Sequence, residues 1–216
     1  MSRNICFLTL VLFCLVLFSI GCSVTAGRGA GAAAFTIVSP SDATAVEDLA
    51  AKEVRRYVYL RTGKLLPIVA SRDRLPAKTA LIVVGQKDRP AVRAITAKDA
   101  KLTSSASSLD AQQYLLRTTE FGSRQVLLIA GGDSIGTLYG AYRFAEHLGV
   151  RFYLEGDTMP DERIALRIPD LDERGEPLFD LRGIQPFHDF PEGPDWWNAD
   201  DYKAVIAQLP KLRMNF

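Results

Sequence analysis

An α/β fold, with a mixed β-sheet and two main helices packed on it, follows from three features of this 216-residue chain. The stretch Gln125–Tyr153 reads strand, glycine turn, amphipathic helix, strand. A second helical stripe, Val46 to Leu60, lies between further strand-like runs. All three cysteines, Cys6, Cys14 and Cys22, sit in an apolar leader, so the folded body must rest on its apolar core and not on disulfides.

The leader comes first. Arg3 gives a positive start, and Ile5 to Ile20 is an apolar run too short for a comfortable membrane span. Residues 1–26 read as a signal peptide. Val24-Thr25-Ala26 fits ordinary secretion, whereas Ser19-Ile20-Gly21-Cys22 resembles a bacterial lipobox that would place lipid on Cys22. The expected location is therefore outside the cytoplasm, as a membrane-anchored lipoprotein that is periplasmic or extracellular, or as a freely secreted protein. Residues 27–34 read as a flexible tether.

The elements then follow in order. Phe35–Val38 is a short strand, and Asp42 is the expected cap of the next helix. Val46, Leu49, Ala50, Val54, Tyr57 and Leu60 form that helix's apolar face, and Gly63 ends it. Leu65–Ala70 is a strand that Pro67 places at a sheet edge. Ala80–Val84 is a buried strand, Pro90–Lys101 holds a short helix, and the Ser-rich Leu102–Leu109 reads as a loop. Gln112–Thr119 and Gln125–Ala130 flank a glycine turn, as in a hairpin. Gly131 and Gly132 lead into a helix capped by Asp133 or Ser134, with Ile135, Leu138, Tyr139, Tyr142 and Leu148 on one face and Gly149 at its end. Together these make one domain over residues 35–156, an α/β sandwich of roughly 120 residues.

Residues 157–177, rich in Pro, Asp, Glu and Arg, read as a linker, with Ile164–Ile168 as a possible short strand. Asp170–Gly175 fails as a calcium loop, because Arg174 and Leu181 stand where oxygen ligands belong. Residues 178–216 make one βα unit: a strand Leu181–Phe187, then a helix Ala199–Arg213 capped by Asn198 and kinked at Pro210. Met214–Phe216 reads as the start of another strand. One such unit cannot bury both faces of its strand, so either it packs on the sandwich or more chain follows, and the second is expected: the chain reads as a piece of a longer protein.

Composition removes several functions. The net charge is +1 with no basic run, which disfavours nucleic acid as a partner. Only His147 and His188 are available, so a histidine-rich metal site is excluded, and no cofactor is implied. Gly132-Asp133-Ser134-Ile135-Gly136 matches the G-x-S-x-G elbow of serine esterases. In that alternative Ser134 is the nucleophile, His188 the base and Asp170 or Asp172 its orienter. A capping Ser in a strand–helix turn explains the same residues without chemistry.

A wider similarity covers nearly the whole body. The first helix, with Thr62-Gly63-Lys64-Leu65-Leu66-Pro67-Ile68, resembles the A-x-E-L-x-x-Y-L-x-x-x-T-G-x-x-L-P-I signature of certain glycosidase accessory domains. These precede the catalytic barrel in alpha-glucuronidases and bacterial beta-hexosaminidases. Ile82–Gly85, Gly136–Tyr142, Glu146 and Leu148–Tyr153 fit the same pattern, and Phe179–Ile184 is similar to the barrel entry. The resemblance implies a non-catalytic N-terminal portion of an exported glycoside hydrolase acting on O-glycosyl bonds of polysaccharide, followed by the start of a truncated (β/α)8 barrel. A carbohydrate-binding module without catalysis is the other reading.

The resemblance places Phe187-His188-Asp189 at the C-terminal end of the first barrel strand, where barrel enzymes build their sites. Asp189 stands where alpha-glucuronidases carry a Trp-Asp pair, with His188 replacing the Trp. No Arg follows as in beta-hexosaminidases, which tips the reading to the alpha-glucuronidase side. His188 and Asp189 are the expected contacts to sugar hydroxyls, and Trp196 or Trp197 an expected stacking face. No catalytic residue is assigned, because in these families the carboxylate pair lies on later barrel strands. Arg182 is expected to pair with Asp180 or a carboxylate between domains.

Overall fold

Alternate residues of the apolar runs Leu81–Val84 and Val126–Ala130 enter two different cores, one on each face of a sheet. The computed structural model describes residues 35–72, 74–185 and 194–216. Six strands lie in the order β2 (Ile68–Ser71), β1 (Phe35–Pro40), β3 (Ala80–Gln86), β5 (Arg124–Gly131), β4 (Tyr114–Phe121), β8 (Asp172–Gly175). β2, β1, β3 and β5 run parallel, and β4 and β8 complete the sheet antiparallel. Val83 lies opposite Leu128, and Leu116 opposite Ile129. β2 is an edge strand, as Pro67 indicates. β6 (Arg151–Tyr153) and β7 (Gly156–Thr158) form a separate two-stranded ribbon.

The two long helices, α1 (Ala45–Thr62) and α4 (Ser134–His147), cover one face over Ile37, Ile82, Leu116, Leu127 and Ile129. Two short helices, α2 (Pro90–Thr96) and α3 (Ala100–Ser107), cover the other face over Val38, Leu81, Val83 and Leu128. The mixed sheet with two main helices is therefore present, with a third layer added. Burial on both sides is why the parallel strands read as unbroken apolar runs.

Several local expectations are corrected. The Ser-rich Leu102–Leu109 stretch is helical in α3: Asp99 accepts from the N–H groups of Lys101 and Leu102 at 2.8 and 3.2 Å, and Leu102, Ala106 and Leu109 are buried. The cap of α1 is Thr44, in a capping box with Glu47, while Asp42 pairs with Arg89 at 2.9 Å. Ala50, Val54 and Tyr57 of α1 are buried as expected, but Leu49 and Leu60 are exposed. Glu47, Glu53 and Arg61 are buried instead, because each has partners. Gly63 ends α1 at φ 71°, the left-handed position that favours glycine. The β4–β5 hairpin turns at Gly122.

Residues 157–177 contain more order than a connection. β8 pairs with β4, Leu116 opposite Glu173, and Ile168 and Leu171 enter the core, while no strand forms at 164–168. The charged sequence of β8 suits a sheet edge, where it discourages further pairing.

In the last segment, residues 181–185 are not assigned as strand, and 186–193 lie outside the described residues. The final helix, α5, is Ala199–Gln208, shorter than Ala199–Arg213. It stops before Pro210, which has no N–H to continue it, and does not kink there. Asn198 caps it, accepting from the N–H groups of Asp200 and Asp201. Asn215 and Phe216 donate their N–H groups to the carbonyl of Arg182 at 2.7 and 3.1 Å, so the two ends of this unit lie side by side.

Candidate functional site

The glycine turn before α4 is built by packing. Gly132 lies against the carbonyl of Asp110 and Gly136 against that of Gln113, so neither place has room for a Cβ. Asp133, not Ser134, is the cap: its Oδ1 accepts from Gly136 N–H at 2.6 Å and from Gln112 N–H at 3.0 Å. That ties the start of α4 to the turn before β4. Ser134 is the first residue of α4. His147 is at the other end of the same helix, about 20 Å away by the helical rise. It is held 2.7 Å from Glu173. Among the described residues, then, no histidine can serve Ser134 as a base; His188 lies outside them.

Of the other sequence-derived site residues, Cys22, His188 and Asp189 also lie outside the described residues. Trp196 closes a short 3₁₀ turn (Pro194–Trp196) and is 71% exposed. Trp197 is half-buried, edge-on to Tyr202 with centroids 5.3 Å apart. The two rings thus separate into one open face and one packed face. Trp197 also borders a depression of about 350 Å³ with Leu154, Asp201 and Val205. Among the described residues Arg182 pairs with no carboxylate: it donates to the carbonyls of Phe179 and Arg213 at 2.6 and 2.8 Å and to Gln112 Oε1 at 2.5 Å.

Sequence reasoning missed a polar seam between the α/β domain and the segment after β8. Lys211 Nζ reaches Asp157 Oδ1 at 2.7 Å, and Tyr57 O–H donates to Asp157 Oδ2 at 2.7 Å. Arg213 Nη2 lies 2.7 Å from Glu146, and Tyr139 O–H donates to the carbonyl of Met214 at 3.3 Å. These contacts join residues 54 to 100 positions apart along the chain, which is why spacing gave no signal for them. Arg143 then bridges Glu146 and Glu173, at 3.0 and 2.6 Å.

The electrostatics of this seam are those of fixed ion pairs. Burial disfavours the charged form of Glu173, but Arg143 and His147 outweigh it and hold the carboxyl below its ordinary range. Asp157 is likewise lowered, burial being overcome by Lys211 and Tyr57. Burial raises Tyr57, Tyr114 and Tyr142, so these phenols stay neutral. Carboxylates held ionised by arginine and lysine cannot donate a proton to a leaving group near neutral pH. Among the described residues there is also no group of three or more His, Cys, Asp or Glu able to hold a metal ion.

The profile of the family described as "Glycosyl hydrolase family 67 N-terminus" matches residues 24–144. A solved structure of a family GH115 4-O-methyl-alpha-glucuronidase, BtGH115A, with specificity for decorated arabinogalactans, superposes with a TM-score of 0.55 at 18% identity. The match covers 85% of this chain and 25% of that one, so the chain spans a quarter of the length of that enzyme. At this identity the likeness is one of fold. No curated protein matches the sequence.

Proposed function

This chain belongs to the family of glycosyl hydrolase family 67 N-termini, and from that premise we propose that it is the non-catalytic N-terminal portion of an exported alpha-glucuronidase-type enzyme. Its task is to hold the first strand and helix of the catalytic barrel against the α/β domain. The supporting observation is the seam: Lys211 on Asp157, Arg213 on Glu146 and Arg182 on Gln112 fasten Arg182 and the turn after α5 to the β6–β7 ribbon, to α4 and to the turn before β4. The two N–H groups that Asn215 and Phe216 give to the carbonyl of Arg182 hold the two ends of the described segment side by side.

In this reading the carboxylates that cleave the glycosidic bond come from outside the chain, and the substrate is a polysaccharide bearing uronic acid. His188 and Asp189 contact sugar hydroxyls, and the open face of Trp196 stacks on a sugar ring more readily than the packed Trp197. The leader directs export, with Cys22 as the lipid attachment point. The test compares the product of the native gene, isolated from its own cells, with the 216-residue chain on glucuronic-acid-decorated polysaccharide. Uronic acid release by the native product and none by the chain is the expected result. Release by the chain alone overturns the scaffold role, and a native product inactive on uronic acids overturns the glucuronidase type.

A further inference from the structure

A cavity of about 440 Å³ opens where α4, the β4–β8 edge and the segment after β8 meet. Arg143 and Arg213 stand side by side on its wall, because both bind Glu146 Oε2, at 3.0 and 2.7 Å. Neither spends its whole guanidinium there. Among the described residues, Nη2 of Arg143 and Nη1 of Arg213 meet no acceptor, and Nε of Arg213 is buried without a partner. Tyr114, itself buried, lines the same cavity with Arg213 over its ring at 6.0 Å. Phe179 stands at the rim, 71% exposed.

We propose that this cavity binds a carboxylated sugar ring, its carboxylate on Arg143 and Arg213 and its ring face on Phe179. Unspent guanidinium N–H groups on two neighbouring arginines are the donors a carboxylate's paired oxygens take. The charge pattern selects against a bare anion. Arg143, Arg182 and Arg213 share the wall with Glu173 and Glu176, so it offers acceptors as well as donors. A sugar acid uses both, since its carboxylate accepts from arginine while its hydroxyls donate to Glu173 and Glu176. The volume lies in the range of small-ligand pockets. The site's lining does not include Trp196. It rests on the glucuronidase-type reading only for the choice of sugar acid to try first.

Calorimetric titration of the 216-residue chain with sodium glucuronate, glucose and inorganic phosphate tests the proposal. Glucuronate is expected to bind at least about tenfold more tightly than glucose, as charge-assisted hydrogen bonds to the carboxylate require. Phosphate should compete poorly. Arg213→Gln should erase the preference for glucuronate. Phe179→Ala, at an exposed position outside both cores, should weaken glucuronate and glucose alike while leaving the fold intact, so loss of binding there cannot be unfolding. Equal affinity for the two sugars, no heat from either at millimolar concentration, phosphate binding as tight as glucuronate, or wild-type affinity in Phe179→Ala each overturns the site. A native product that still releases uronic acid while the chain ignores glucuronate removes this cavity alone and leaves the proposed function standing.

Discussion

Lys211 Nζ lies 2.7 Å from Asp157 Oδ1, and the two side chains are only 7% and 10% exposed. The pair joins the turn after α5 to the β6–β7 ribbon, beneath the edge-on cluster of Tyr57, Tyr142 and Phe152. Removing the cation leaves a buried carboxylate with only Tyr57 O–H and the distant Arg56, 3.9 Å away, to offset its lost hydration. Lys211→Met should therefore destabilise the chain by about 3–5 kcal/mol in urea unfolding. Lys211→Met with Asp157→Asn should recover part of that loss, because the uncompensated charge is gone. A double variant as unstable as the single one would show that packing, not charge, is what Lys211 supplies.

A second buried pair should set the acid limit of stability. Glu47 is fully buried, with Arg89 at 2.5 Å and the N–H groups of Thr44 and Gln86 at 2.9 and 3.1 Å. Burial opposes its ionisation, but these donors win and hold the carboxyl down to about 2, from an ordinary 4.5. Because the folded value lies below the unfolded one, the contribution is complete above about pH 5 and disappears as the pH falls towards 2. Unfolding midpoints measured from pH 7 to pH 2 should fall steeply for the parent. In Glu47→Gln they should start lower and fall less, so that the two curves converge in acid.

The cap of α4 separates two neighbouring residues. Asp133→Ala should cost about 1–2 kcal/mol, since Oδ1 serves two backbone N–H groups. Ser134→Ala should stay within about 0.5 kcal/mol of the parent. Thermal melts of both variants decide the matter, and a large loss at Ser134 alone would reverse the assignment.

Gly136→Ala should destabilise by about 1–3 kcal/mol, because the added Cβ meets the carbonyl of Gln113 across the α4–β4 contact. The obstacle is backbone, which cannot swing aside as a side chain can. A melting temperature equal to the parent's would mean that α4 can move away from the sheet at no cost.

The two tryptophans should report their different surroundings. With Trp197→Phe, the remaining Trp196 should emit at long wavelength and be quenched readily by acrylamide, as a ring 71% exposed must be. With Trp196→Phe, the remaining Trp197, packed edge-on to Tyr202, should emit to the blue and resist quenching. Identical spectra would contradict the separation of one open and one packed face.

The parallel strands, the hairpin and α4 are legible in the sequence because each carries a local signal: an unbroken apolar run, a glycine turn, a 3.6-residue stripe. Asp133 and Gly149 announce the ends of α4 in the same way. β8 and α3 are not legible. Asp172–Gly175 has no apolar face of its own and becomes a strand only because β4 offers it an edge. The serines around Leu102 and Ala106 read as a loop until those two side chains find the second core. The seam is hidden for a different reason, since Lys211, Arg213 and Arg182 look like ordinary surface charges until the chain returns to Asp157, Glu146 and Gln112.

By itself the sequence determined the α/β class, the start and end of the long helices to within a few residues, and the resemblance to a glycosidase accessory domain. Periodicity, capping and glycine turns are local, and local physics writes them directly into the order of residues. Only the tertiary structure decided that the helices form two layers around the sheet, that the buried stripe of α1 takes in Glu47 and Arg61 while Leu49 and Leu60 stay outside, and that Arg143 and Arg213 share one carboxylate beside a cavity. Burying a charge is favourable only when a partner arrives from elsewhere in the chain, and that partnership exists only after folding.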